Sequence, residues 1–191
     1  MIYLYPMNIQ QATNLIAAAA PLLPHPAHPQ HWADLGCGAG LFTEALAGLL
    51  PPGSRVDGVD TKPTLRQQVT AGGVTISPMR ADFVKDNLPF RNLDGILMAN
   101  SLHYAKDKTA LLPKLRACMQ ADAPLIIIEY DTNTPVPTWV PYPISYASLV
   151  ESLGNDYAIQ KLGQQPSAFG RSQLYAAIAI PLHRLANPAI S

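Results

Sequence analysis

The stretch that most restricts the fold is residues 31–40, HWADLGCGAG, followed at once by LFTEALAGLL. An apolar run ends in an acid, Asp34. Gly36, Gly38 and Gly40 follow at alternate positions, and an amphipathic helical pattern then begins. That order predicts strand, tight turn, helix. Glycine lacks a Cβ, so it takes φ > 0 readily and lets another group approach the backbone. A helix starting near Gly40 points free N–H groups and a positive dipole end into the same place. The turn is suited to a nucleotide-like ligand.

The remaining chain repeats the alternation. Residues 55–60, 74–80, 93–99 and 124–130 read as strands, and 41–50, 63–71, 107–120 and 144–153 as helices. Pro63 stands where a helix tolerates proline, Gly72 and Gly73 close that helix, and Pro113 must kink the next. Pro78 places the third strand near an edge. The runs at 93–99 and 124–130 are continuously apolar, as in parallel strands buried on both faces. Residues 157–162 and 173–182 are two further strands. Their connection is too short for a crossover helix, so the pair is antiparallel. The pattern gives an α/β chain with a mainly parallel sheet. Ahead of it lies an arm, residues 1–30, with Tyr3, Tyr5 and a helix over 8–20 capped by Asn8. It is a candidate lid on the domain formed by 31–191.

Composition narrows the partners. Of 191 residues, 14% are charged, and acids and bases cancel at 13 each, so no global field draws in nucleic acid or an anionic membrane. Lys106, Lys108, Lys114 and Arg116 share one predicted helix and read as a solvated face. The two cysteines, Cys37 and Cys118, form neither a metal motif nor a disulfide scaffold, which fits a reducing, cytoplasmic setting. No signal peptide is read, and the apolar runs are too short to span a bilayer. His25 and His28 lie in a proline-rich linker that forbids the helix their spacing would need as metal ligands.

From residue 31 to 182 the motif order resembles the class I S-adenosylmethionine (SAM)-dependent methyltransferases. Ala33-Asp34-Leu35-Gly36-Cys37-Gly38-Ala39-Gly40 is close to that family's first motif. Asp60 ends the second strand, Asp82-Phe83 follows the third, and Asn100-Ser101-Leu102-His103-Tyr104 follows the fourth. The resemblance implies a Rossmann-like three-layer sandwich. Its sheet has seven strands, mainly parallel, with one antiparallel strand from a C-terminal hairpin. It also implies that Gly36, Gly38 and Gly40 carry the methionine part of SAM and that Asp34 lies near its ammonium. Asp60 would accept the ribose hydroxyls, with Thr61 and Lys62 beside the adenosine. Asp82 and the Phe83 N–H would read adenine, and Asn100 would face the methionine end. Capping or turn-forming roles compete at Asp34, Asp82 and Asn100, and the plainer role of a loop acid at Asp60. The usual glycine pair before the fifth strand is replaced by Gln120-Ala121-Asp122-Ala123-Pro124. There Asp122 can form the turn.

A base is needed only if the nucleophile must first lose a proton. His103 is the candidate, against the plainer role of a packed loop histidine. Tyr104, Glu129, Tyr130, Tyr142 and Arg171 are candidates for a substrate pocket, against local packing. The Asn/Asp-Pro-Pro-aromatic signature of amino-methyltransferases is absent from NSLHY, which argues against DNA or exocyclic amine substrates. A magnesium-dependent type would need several acids converging there, and with Asp131 and Glu129 but no acid at Asn100, no catalytic metal is expected. A small-molecule acceptor is the leading expectation, with SAM converted to S-adenosylhomocysteine (SAH). Two rivals stay open. One is an NAD-type oxidoreductase, which Asp60 suits but which needs glycine where Leu41 stands. The other is a non-catalytic protein that keeps the fold.

Overall fold

In the computed structural model, which describes residues 7–167 and 173–186, helix α1 spans Ile9–Ile16. Asn8 caps it reciprocally: the Gln11 N–H donates to Asn8 Oδ1, and the Asn8 N–H to Gln11 Oε1, both at 2.9 Å. A 3₁₀ segment over Ala17–Leu22 completes the expected helix. Then follow β1 (His31–Leu35), α2 (Leu41–Ala47), β2 (Arg55–Asp60), β3 (Gln68–Val69), β4 (Thr75–Arg80) and β5 (Gly95–Ala99). After these come α3 (Lys108–Arg116), β6 (Leu125–Tyr130), α4 (Tyr146–Leu153), β7 (Tyr157–Pro166), β8 (Gln173–Pro181) and α5 (Leu182–Ala186).

The sheet order is β3-β4-β2-β1-β5-β6-β8-β7. Strands β4, β2, β1, β5 and β6 run parallel, and β8 is antiparallel to both β6 and β7. Alternate side chains feed two cores, as the strand period of two requires. Trp32, Leu97, Ile126, Ile128 and Ile178 pack with α1 and α2 on one face. Ala33, Leu35, Ile96, Met98 and Ile127 pack with α3 and α4 on the other. This is the expected three-layer sandwich.

The sheet has eight strands rather than seven, because residues 63–71 are not a helix. Val69 and Thr70 favour extended backbone. Gly73, at φ 76°, turns the chain so that β3 pairs antiparallel with β4. The glycine pair read as a helix stop is therefore a hairpin turn, closed by the Thr70 N–H to Val74 O (2.9 Å) and the Gly73 N–H to Thr70 O (2.9 Å). The predicted helix start is held elsewhere: Thr64 and Leu65 donate their N–H groups to Gly38 O at 3.1 and 3.3 Å. Tertiary hydrogen bonds outweigh the weak local helix preference.

Two other expectations change. Helix α3 is shorter than 107–120; Asp107 caps its start, and Pro113 lies inside it. Its cations are not a free solvated face. Lys108 donates to Ala105 O and Tyr142 O, Lys114 donates to Val84 O, and Arg116 lies over the Tyr157 ring. The turn before β6 forms without a glycine pair, through the Ala123 N–H to Gln120 O at 3.2 Å. Among the described residues, no helix is long and apolar enough to cross a membrane.

Candidate functional site

The carboxyl ends of β1, β2, β4, β5 and β6 converge, where open α/β sheets place their ligands. The glycine turn is left-handed at all three glycines, with φ of 86°, 53° and 91° at Gly36, Gly38 and Gly40. The reasons for glycine differ. A Cβ on Gly36 would overlap the Ser101 side chain, and one on Gly40 would overlap Leu65. At Gly38 the space is open, so its bare backbone faces outward. Gly36 and Cys37 donate their N–H groups to Val59 O, at 2.7 and 3.1 Å, and lock the turn to β2.

A crevice of about 460 Å³ opens beside this turn. It is lined by Gly36, Asp60, Thr61, Asp82, Phe83 and Asn100, all expected from sequence, and by Val84, Lys85, Ser101 and Tyr104. Asp60 caps the turn itself: Oδ2 accepts the Gly38 N–H (3.0 Å) and Oδ1 the Lys62 N–H (2.9 Å). A carboxylate has further lone pairs for a diol. Asp82 is more heavily used. Its Oδ1 accepts the N–H groups of Val84 and Lys85, and its Oδ2 pairs with Lys85 Nζ at 3.0 Å. Partial burial opposes ionisation of Asp82, but these donors together win and hold its pKa below the ordinary 3.8. The Phe83 ring is buried beneath the crevice.

Asp34, Gly38, Gly40 and His103 do not line the crevice; Asp34 and His103 lie buried behind its walls. Thr43 of α2 donates to Asp34 Oδ2 at 2.6 Å, while Oδ1 is buried with no hydrogen-bond partner. Burial, opposed by the Thr43 bond and reinforced by the Asp60 charge, raises Asp34 from 3.8 to about 7. Burial and the charges of Asp34 and Asp60 push the Cys37 thiol up to about 12, which leaves it a neutral packing group. Asn100 adopts φ 52°, and its Oδ1 is likewise buried and unpartnered.

His103 is 1% exposed. Its Nδ1 lies 2.8 Å from Glu129 Oε2, and its backbone N–H donates to Glu129 Oε1 at 3.1 Å. The ring Nε2 is buried without a partner. Of the pocket candidates, Tyr104 lines the crevice, Glu129 and Tyr130 are buried beside His103, and Tyr142 lies on the surface next to them. Arg171, Tyr3 and Tyr5 fall outside the described residues.

Sequence reasoning did not find Ser101 or Leu65. Ser101 donates to Leu35 O and occupies the space that Gly36 leaves. Leu65 fills the gaps left by both Gly40 and Gly58. The signal for each was a glycine elsewhere in the chain, since a missing Cβ has a partner that fills it.

A sequence profile described as "Methyltransferase domain" matches residues 33–125. Uncharacterised methyltransferases of Mycobacterium bovis and Mycobacterium tuberculosis are each 27% identical over 99 residues, covering 52% of this chain and 50% of theirs. The chain thus spans about half the length of the curated relatives it matches. Among solved structures, the N-methyltransferase NodS of Bradyrhizobium japonicum, in complex with SAH, superposes with TM-score 0.63 at 18% identity, over 90% of this chain and 86% of that one. A SAM-dependent methyltransferase of Mesorhizobium loti superposes with TM-score 0.63 at 18% identity, over 91% and 100%. At such identities the superpositions speak for the fold, and the profile match speaks for the sequence. In its motif order, in the domain match over residues 33–125 and in its fold, the chain is similar to the class I SAM-dependent methyltransferases.

Proposed function

We propose that this chain binds SAM in the crevice and transfers its methyl group to a small-molecule acceptor. The observation that carries the reading is an acid-lined crevice flanked by two buried acceptor oxygens without a described partner, Asp34 Oδ1 and Asn100 Oδ1. Buried acceptors of this kind call for a donor. The ammonium of the methionine moiety is a cationic donor of the right kind. The pyrophosphate of a dinucleotide is not. It would meet Asp60 and Asp82, and among the described residues the crevice's one lining cation, Lys85, is already paired with Asp82.

The residue roles follow. The bare backbone at Gly36 and Gly38 admits the amino-acid part, with Asn100 at that end and Asp34 behind it. Asp60 takes the ribose hydroxyls, with Thr61 and Lys62 alongside. Asp82 and the Phe83 backbone are assigned to adenine. SAM supplies a methyl group made electrophilic by its sulfonium. The chain's task is to orient the acceptor and exclude water. A lid role for residues 1–30 does not extend to α1, because its Ala12, Leu15 and Ile16 are fixed in the core.

One observation favours a second reading, a protein that holds SAM without turning it over: the candidate base His103 is sealed from solvent. Calorimetry with SAH, SAM and NAD tests binding. SAH and SAM are expected to bind and NAD not, and Asp60→Ala is expected to weaken SAH by about tenfold or more. Binding of NAD without SAH overturns the proposal. A methyl-transfer screen over small acceptors then separates the two readings.

A further inference from the structure

The crevice wall continues into a run of rings that the donor does not use. Tyr104 lines the crevice, and its ring stands 4.4 Å from that of His103. His103 stands 6.4 Å from Tyr130, and Tyr130 stands 6.2 Å from Trp139 in an edge-on arrangement. Tyr104, Trp139 and Tyr142 are 49%, 42% and 40% exposed, a high value for three aromatic side chains on one side of a site. The segment that presents two of them is fixed. The Tyr142 N–H donates to His103 O (3.1 Å), and Lys108 Nζ to Tyr142 O (2.8 Å). Among the described residues, Lys108, the cation bonded to this segment, is committed to carbonyls, so the rings themselves are the surface on offer. They suit a neutral planar occupant, held by offset or edge contacts.

Behind the rings, Glu129 accepts the His103 backbone N–H with one oxygen, and with its other oxygen also accepting, the ring nitrogen facing it, Nδ1, is the donor. Nε2 then presents a lone pair, and it is the ring nitrogen without a partner. Tyr104 and Tyr130 contact the His103 ring, Tyr175 stands opposite Glu129 in the β6–β8 register, and the Lys108 ammonium is within electrostatic reach of Glu129. Of the ring contacts to His103, Tyr104 is the exposed one, and exposed side chains change rotamer on a picosecond-to-nanosecond scale.

We propose that Trp139, Tyr130 and Tyr142 form the acceptor subsite for an uncharged planar phenol. A swing of Tyr104 uncovers His103, whose Nε2 takes the phenol proton. Glu129 is the positioning residue that fixes the tautomer and stabilises the imidazolium. In the transfer, an oxygen lone pair forms the new bond to the methyl carbon. The carbon–sulfur bond breaks with its pair left on sulfur, and the hydroxyl proton passes to Nε2. This rests on the methyltransferase reading, whose failure the first measurement isolates.

The test begins with SAH binding to the full chain. Absence of SAH binding would remove the donor reading and this inference with it. With SAH bound, β-naphthol, its saturated decahydro analogue and β-naphthoate are titrated by calorimetry, and ionised naphthol is followed by its absorbance. β-Naphthol is expected to bind about tenfold more tightly than either control. Trp139→Leu should weaken it about fivefold. Tyr104→Ala should leave the naphtholate fraction equal or higher. Glu129→Gln, which keeps hydrogen-bonding capacity but donates to Nδ1, should lower that fraction, with naphthol affinity falling only by the share the ionised form contributed. His103→Asn should do the same. If SAH binds while the three probes bind alike or not at all, the aromatic subsite is wrong. If naphthol binds but its ionised fraction ignores Glu129→Gln and His103→Asn, the proton assignment is wrong.

Discussion

Each half of the sheet buries one carboxylate near the carboxyl end of a strand, and the two are satisfied differently. In the glycine-turn half, Asp34 is 1% exposed, holds Thr43 with one oxygen, and leaves the other without a described partner. In the aromatic half, Glu129 is 0% exposed and uses both oxygens, one on the His103 backbone and one on its ring. Burial costs a charge several kcal/mol unless donors replace the lost water. Glu129 has its replacement inside the fold. Asp34 has half of its own, and its pKa rises to about 7. Glu129 is part of the architecture of a loop; Asp34 keeps one oxygen open to a further donor.

Removing Glu129 should have the largest effect. Glu129→Ala leaves two buried donors of His103 without an acceptor, and roughly 3–5 kcal/mol of stability should be lost in urea unfolding at neutral pH. A loss below about 1 kcal/mol would show that the pair is not structural.

Asp34→Asn should do the opposite to stability. The native pKa lies above the unfolded one, so the native state binds more protons between pH 3.8 and about 7, and stability falls as pH rises through that window. The shift corresponds to roughly 4 kcal/mol favouring the neutral acid above pH 7. Asp34→Asn should remove that slope and match or exceed the wild type at pH 8. SAH affinity should nevertheless fall about tenfold, since an amide is a weaker acceptor for an ammonium. A variant that binds SAH normally would sever Asp34 from the ligand.

The smallest effect belongs to the exposed pair at the crevice rim. Lys85→Ala should change unfolding free energy by no more than about 0.5 kcal/mol, because Lys85 is solvated and screened. A clear gain in NAD binding, or a large loss of SAH binding, would mean that Lys85 governs which ligand enters.

The strand-end acids were legible because they follow a pattern: each of Asp34, Asp60 and Asp82 terminates or follows a stretch of strand pattern. Asn8 was legible as a cap for a similarly local reason. The stretch 63–71 was not, because its helix preference and its glycine pair also fit a hairpin, and Gly38 O decided between them. His103 was legible as a candidate but its surroundings were not. Glu129 lies 26 positions away, and nothing local to NSLHY reports that its histidine is buried.

The sequence by itself determined that the chain forms a parallel α/β sheet with a glycine turn after its first strand, and which acids stand at the strand ends. Those features are local: strand period, glycine's freedom at φ > 0, and an acid where an apolar run stops. Tertiary structure alone decided which acids keep a free oxygen, which glycine gaps are filled by Leu65 and Ser101, and that His103 is paired and enclosed. Satisfaction of a buried polar group depends on every chain segment that can reach it, and the packing of the sheet sets which segments those are.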